Sequence, residues 1–344
     1  MRLTRTVRRW VTAQISDAAV ACAPLLDPDV VDVAEAALAW CGPRMPVVSR
    51  NVAENMRAVG LYTPDRHREY FRQAAGHLTG WMHVFRHGGA RASGSARPMP
   101  AELARVVEQR VQLDDSVELL KEAASEGKGV VVMSMHIATV PLVLARVNQV
   151  VPTTVLARYS KDARRRRIKA QWWRATAIGH VALSSQPGQR GSRLAKMAEV
   201  LAEGRAIMIA VDMARKRTEG QPVRLFDRQV HLPSGAAVLS VMTGAPLMMV
   251  SAKAAGRANC LTFRGPFTGQ VKGRSRASKE AAVAERVQWF ADGLEAFLRA
   301  HAPSWFFWGD KRWTRVFHDD PRYVRVLDAP ADGRTTASPS QGEG

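Results

Sequence analysis

Gly127-Lys128-Gly129-Val130-Val131-Val132-Met133-Ser134-Met135-His136 is the stretch that decides the fold. A glycine-bracketed turn runs into a short, continuous apolar segment, the pattern of a strand buried on both faces. His136 follows at its carboxyl end. Similar runs recur at Thr153 to Leu156, His180 to Leu183, Ala206 to Val211, Leu247 to Val250 and Cys260 to Phe263. Helical stretches at 136–148, 162–178, 191–203 and 235–243 separate several of them. Strands alternating with helices predict an α/β protein with a mixed, mostly parallel sheet flanked by helices.

Outward from this core, residues 28–90 read as helices punctuated at Gly42-Pro43 and Gly60 to Pro64, an α-helical N-terminal lead-in. A Gly/Ser/Pro-containing loop is expected over 91–100, and helical spacing returns over 101–126. Val283, Val287, Phe290, Leu294 and Phe297 mark a long amphipathic helix that Pro303 ends. Three regions follow: a basic amphipathic N-terminal region over 1–44, an α/β domain over 45–318, and a small, polar, disordered tail over 319–344.

The chain has 344 residues and a formal charge of +19, which predicts attraction to polyanions such as lipid headgroups, phosphorylated substrates or nucleic acid. Cys22, Cys41 and Cys260 lack the spacing of a disulfide or zinc framework, so a reducing compartment is expected and no metal site. No stretch reaches 18 consecutive apolar residues, which argues against a conventional spanning helix. Arg2, Arg5, Arg8 and Arg9 beside Leu3, Val7, Trp10, Val11 and Ile15 instead fit a basic amphipathic helix at a membrane interface, or a surface helix packed on its own domain.

His136 stands where open α/β sheets gather ligands, beyond the carboxyl ends of their strands. Taken as the start of the helical segment that follows, it would be held neutral by the helix dipole and able to accept a proton. A hydrogen-bonded structural role is the other reading of a histidine in this place.

The segment from Gly204 to Val250, GRAIMIAVDMARKR…VRLFDRQVHLPSGAAVLSVMTGAPLMMV, resembles the lipid A biosynthesis acyltransferase family of the lysophospholipid acyltransferase superfamily. Asp212, Phe226, Pro233, Gly235 and Thr243 to Pro246 stand in that family's order. Arg50, Asn51 and Asn55 look like its early Arg/Asn helix, Arg158 and Arg174 with Gly179 resemble its central arginine segments, and Trp305 to Trp313 is similar to its closing tryptophan motif. The resemblance covers about residues 45–315.

That resemblance implies transfer of a fatty acyl group from an acyl carrier protein or coenzyme A thioester to a glycolipid, phospholipid or related hydroxyl acceptor, with His136 as general base. No resident cofactor is implied. Backbone amides at the adjacent helix start would stabilise the oxyanion. Arg158, Arg174, Ser234, Gly235 and Arg312 become candidate substrate-binding residues, with Arg158 and Arg174 as phosphate contacts or, on the other reading, solvated surface residues. An anionic membrane surface is the implied partner, with the protein peripheral or N-terminally anchored on the cytoplasmic face of the inner membrane.

The family places an acid five residues after the histidine, and here that position is Pro141. The closing motif also departs, with Asp310 where the family carries histidine. Three accounts stay open. Asp212 or Asp310 reaches His136; His136 acts alone; or acyl transfer is lost and the protein binds lipid. The basic run Lys161 to Arg174 fits lipid phosphates, the acidic surface of a carrier protein, RNA or a plain solvated face. Arg164 to Arg167 with the +19 charge add an RNA-binding or aminoacyl-transfer reading. Of Trp172 and Trp173, one is expected to be buried and the other to stack on bases or sit at a membrane interface. Nucleic acid ranks last among the partners because no RNA-binding motif accompanies the charge.

Overall fold

The computed structural model describes residues 22–87, 98–137, 140–158, 162–183 and 190–327. The helical lead-in consists of α1 (Pro28–Cys41), α2 (Pro46–Arg57) and α3 (Pro64–His87). Each begins with proline, whose fixed φ and missing N–H suit the first helical turn. The Asp27 side chain caps α1 by accepting from Asp29 N at 2.9 Å. Arg110 ties α1 to the body through Asp32 at 2.7 Å and Glu35 at 3.4 Å.

Residues 101–126 are not one helical stretch. They fold as α4 (Ala101–Arg110), β1 (Val111–Leu113) and α5 (Val117–Ser125). Val111 and Leu113 find partners at Asn259 and Leu261, and this long-range pairing overrides the local helical spacing. Then come β2 (Val130–Ser134), α6 (Val140–Val150), β3 (Thr153–Arg158), α7 (Ala163–Thr176), β4 (Gly179–Leu183), α8 (Arg190–Ala202) and β5 (Ala206–Ala210). A hairpin of β6 (Gln221–Leu225) and β7 (Arg228–Leu232) precedes α9 (Gly235–Thr243), β8 (Leu247–Ala255) and β9 (Ala258–Arg264). The chain closes with α10 (Arg276–His301), α11 (Lys311–Phe317) and β10 (Arg325–Val326).

The main sheet has seven strands in the order β1-β9-β8-β2-β5-β3-β4. Strands β8, β2, β5, β3 and β4 run parallel, while β9 is antiparallel to β8. The fold is therefore α/β with a mixed, mostly parallel sheet flanked by helices. All five residues of β2 are buried, as expected for the central strand of a sheet covered on both faces. Gly129, at φ +61°, admits no side chain, because a Cβ there would lie 2.6 Å from the carbonyl oxygens of Arg205 and Leu201.

β2 neighbours β5 and β8 rather than β3, its successor in sequence. The chain leaves β2 toward one edge, and after β5 it crosses to the other side of β2. The carboxyl ends of β2 and β5 thus flank a topological switch point, the usual mouth of a ligand site in open sheets.

One expectation changes at the chain ends. The tail does not begin at residue 319: Tyr323 and Val324 are buried, and Arg325–Val326 pair antiparallel with β7. Residues 328–344 lie outside the described residues, as does the basic segment 1–21. No described helix is long and apolar enough to cross a membrane.

Candidate active site

Register builds the site. In the parallel β2–β5 ladder Ser134 pairs with Ala210. Side chains two residues apart point the same way from adjoining strands, so His136 and Asp212, each two residues past that pair, meet at the sheet's carboxyl edge. Asp212 Oδ1 lies 2.6 Å from His136 Nδ1, and Oδ2 accepts the His136 backbone N–H at 2.6 Å. A carboxylate only accepts, so the ring proton sits on Nδ1 and leaves Nε2 as the basic nitrogen. Asp212 thus both binds a backbone amide and orients the histidine.

Asp212 is fully buried. A buried charge is costly unless it is paired and hydrogen-bonded, and the closing tryptophan segment supplies one further donor to the carboxylate and one to its backbone. Trp305 Nε1 donates to Asp212 Oδ2 at 2.8 Å, and Trp313 Nε1 donates to the Asp212 carbonyl at 2.8 Å. Phe306 N donates to the His136 carbonyl at 2.8 Å, and the Phe307 ring stacks on the imidazole at 4.1 Å between centroids. Trp305, Trp308 and Trp313 have no exposed surface.

The early Arg/Asn helix holds that segment in place. Asn55, buried in α2, donates to Trp308 O at 2.7 Å and to Thr314 Oγ1 at 3.0 Å, while Asn51 accepts from Thr314 Oγ1 at 3.0 Å. Tyr70 in α3 donates to Phe306 O at 3.0 Å. The sequence marks Trp305 to Trp313 only by its likeness to a closing motif, and nothing local assigns the Trp305 and Trp313 N–H groups to a distant aspartate.

The helix-dipole expectation for His136 is corrected. α6 starts at Val140, four residues later, and residues 138–139 lie outside the described residues, together with any amides they offer to an oxyanion. Burial alone lowers the basicity of His136. The charge and hydrogen bond of Asp212, with a smaller contribution from Asp310, outweigh it and raise the pKa above the ordinary imidazole value.

Pro141 is buried in the first turn of α6, where its missing N–H costs nothing. The acid that the resemblance expects there is absent, and the carboxylate on the imidazole comes instead from Asp212, beyond the end of β5.

Asp310 acts on the imidazole only through its charge and makes no hydrogen bond to it. Its side chain caps α11, accepting from Arg312 N at 2.8 Å and Trp313 N at 3.3 Å, and so positions the Trp313 indole. Arg312 Nη1 lies 3.2 Å from Met213 Sδ, beside the dyad rather than on it. Ser234 and Gly235 open α9. Ser234 makes no capping bond and instead lines an open cleft of about 610 Å³ with Val238, Met242, Arg274 and Lys279.

Arg158 ends β3, and its side chain lies outside the described residues. Arg174 is on the exposed face of α7, with Nε donating to Ala170 O at 3.2 Å. Trp172 and Trp173 are both buried, so neither offers a surface for bases or lipid.

No curated protein matches the chain in sequence. The family model described as bacterial lipid A biosynthesis acyltransferase matches residues 98–315. That span runs from α4 into α11 and contains His136, Asp212, the start of α9 and the closing tryptophans. The chain belongs to the bacterial lipid A biosynthesis acyltransferase family.

Proposed function

We propose that the protein transfers a fatty acyl group from an acyl carrier protein or coenzyme A thioester to a hydroxyl on a glycolipid or related lipid acceptor. His136 is the general base and Asp212 its orienting partner. The observation that carries this reading is the 2.6 Å contact between His136 Nδ1 and the buried Asp212 carboxylate. In the reaction, His136 Nε2 takes the acceptor's hydroxyl proton as its oxygen attacks the thioester carbonyl carbon. The C–S bond then breaks, and the departing sulfur receives the proton back. General-base assistance contributes roughly 10²–10⁴-fold when the base reaches the proton.

Reading the chain as a lipid-binding protein without chemistry rests on Pro141, and the Asp212 contact removes much of that ground. The RNA-binding reading rests on the positive charge and Arg164 to Arg167 alone, because Trp172 and Trp173 are both buried.

The donor and acceptor are expected at a membrane surface, on its cytoplasmic face. Leu25, Val30, Val33, Leu38, Trp40, Met45, Val47 and Val48 are all exposed large apolar side chains on the N-terminal helices, a concentration typical of an interaction surface. Arg44 stacks over the Trp40 ring at 3.8 Å, pairing a cation with an interfacial aromatic. Peripheral attachment through these side chains fits the chain's positive charge.

The test is thiol release from an acyl thioester in the presence of lipid acceptor, with mass spectrometry of the acylated lipid. Release and product should depend on His136. Release equal in wild type and His136→Ala would sink the assignment.

A further inference from the structure

A second imidazole, His77 in α3, packs against the segment that holds His136. The His77 ring lies 4.5 Å from Phe306, the residue whose N–H holds the His136 carbonyl. The two histidines thus flank one short segment, with Phe306 against His77 and Phe307 against His136. Nδ1 of His77 is buried with no hydrogen-bond partner among the described residues, whereas the residue as a whole is partly exposed. A buried donor without a partner is costly, so the ring proton belongs on Nε2.

Burial, with a smaller push from His136, lowers the His77 pKa to about 4. The ring is therefore neutral at physiological pH, and its Nε2–H is a donor that adds no positive charge beside the base. Neutral imidazoles of this kind polarise carbonyl groups in enzymes. Nothing in the Asp212–Trp305–Trp313 scaffold uses His77, and among the described residues no hydrogen bond explains a polar ring in this place.

We infer that His77 contacts the substrate, donating from Nε2 to the thioester carbonyl oxygen while His136 removes the acceptor's proton. As the acceptor oxygen adds to the carbonyl carbon, the C=O electron pair moves onto the oxygen that faces His77. The pair returns when the C–S bond breaks and the thiolate leaves with the proton held by His136. This assignment rests on the acyl-transfer reading above.

The experiment compares His77→Leu and His77→Gln with wild type in thiol release from acyl-coenzyme A, with thermal unfolding as a control for folding. Loss of one oxyanion donor costs about 10²–10³ in kcat, so His77→Leu should lose that much with KM little changed. His77→Gln, which keeps a donor at similar reach, should recover to within about tenfold of wild type by the same donor argument.

Equal losses in the two variants at unchanged unfolding temperature would overturn the assignment, as would normal turnover in His77→Leu. Should His77→Leu fail to fold, imidazole nitrogen NMR of wild type with a non-hydrolysable ketone analogue of the thioester decides. A shifted His77 Nε2–H resonance supports the contact, and an unmoved one refutes it. Absence of His136-dependent release in wild type would bring down the acyl-transfer reading itself. Release that needs His136 but not His77 would bring down His77 alone.

Discussion

Trp305 donates its indole N–H to the same carboxylate of Asp212, at 2.8 Å, that holds the imidazole of His136. The dyad is therefore clamped by a residue 93 positions downstream of its acid. Trp313 grips the Asp212 backbone from the same segment, and Asn55 fixes that segment from the N-terminal helices.

Trp305→Phe keeps the ring's bulk in part and removes the donor. A buried acceptor that loses a charge-assisted partner costs about 1–3 kcal/mol, so the unfolding midpoint should drop accordingly. Turnover should fall roughly tenfold as the carboxylate gains freedom, a loss of about 1.4 kcal/mol in transition-state stabilisation. Thermal unfolding and kcat measured on the same preparation check both.

Pro141 fills the place of an acid without doing its work. Pro141→Ala should keep turnover within about threefold, a change under about 1 kcal/mol in the barrier. Pro141→Glu buries a carboxylate beside a site whose imidazole is already paired, and an uncompensated buried charge costs several kcal/mol. It should lower stability without raising turnover. A gain of activity on introducing the acid would identify the native site as degenerate.

Acid should destabilise the protein through its buried neutral histidines. Burial holds His77 near pKa 4, with a further push from His136. Burial likewise holds His83 near 4, with added pushes from Arg110, His87 and Arg86. The unfolded chain binds protons at these groups from about pH 6.5 downward. Their stabilisation is thus complete above that pH and is lost as pH falls toward 4, at up to about 1.4 kcal/mol per pH unit for each group. His136 has the opposite sign. Its raised pKa stabilises below about pH 6.5 and is lost at higher pH, so it leaves the acid window unmasked. Urea unfolding of wild type and His83→Phe between pH 6.5 and 4.5 should show a shallower slope in the variant.

Much of the fold was legible because its signals are local. Val130 to Ser134 is a buried strand in sequence and in structure, and Gly129 marks its start for a steric reason. The strand run at Ala206 and the carboxylate at Asp212 were visible as well. Their adjacency to β2 was not, since β5 inserts between β2 and β3, and strand order is a long-range property that no residue encodes alone. Once Ser134 pairs with Ala210, the contact between His136 and Asp212 follows from the two-residue period.

The same limit explains the misreading of 101–126, where β1 exists only because β9 pairs with it. Asp310 looked like a catalytic acid, but its local chemistry is a helix cap. His77 sat unnoticed in a helix, with no spacing to separate it from its neighbours His67 and His83.

The central relationship is tested most directly by Asp212→Asn. The amide keeps the shape and an oxygen acceptor, while removing the charge and favouring the wrong imidazole tautomer, a change that costs about 10⁴ in kcat in comparable dyads. Thiol release from an acyl thioester, followed across pH, should fall by roughly 10³–10⁴-fold by the same tautomer argument. The residual acid limb should move to lower pH, because the raised basicity of His136 depends on Asp212. Turnover within about threefold of wild type, less than about 1 kcal/mol in the barrier, with an unmoved acid limb would contradict the dyad.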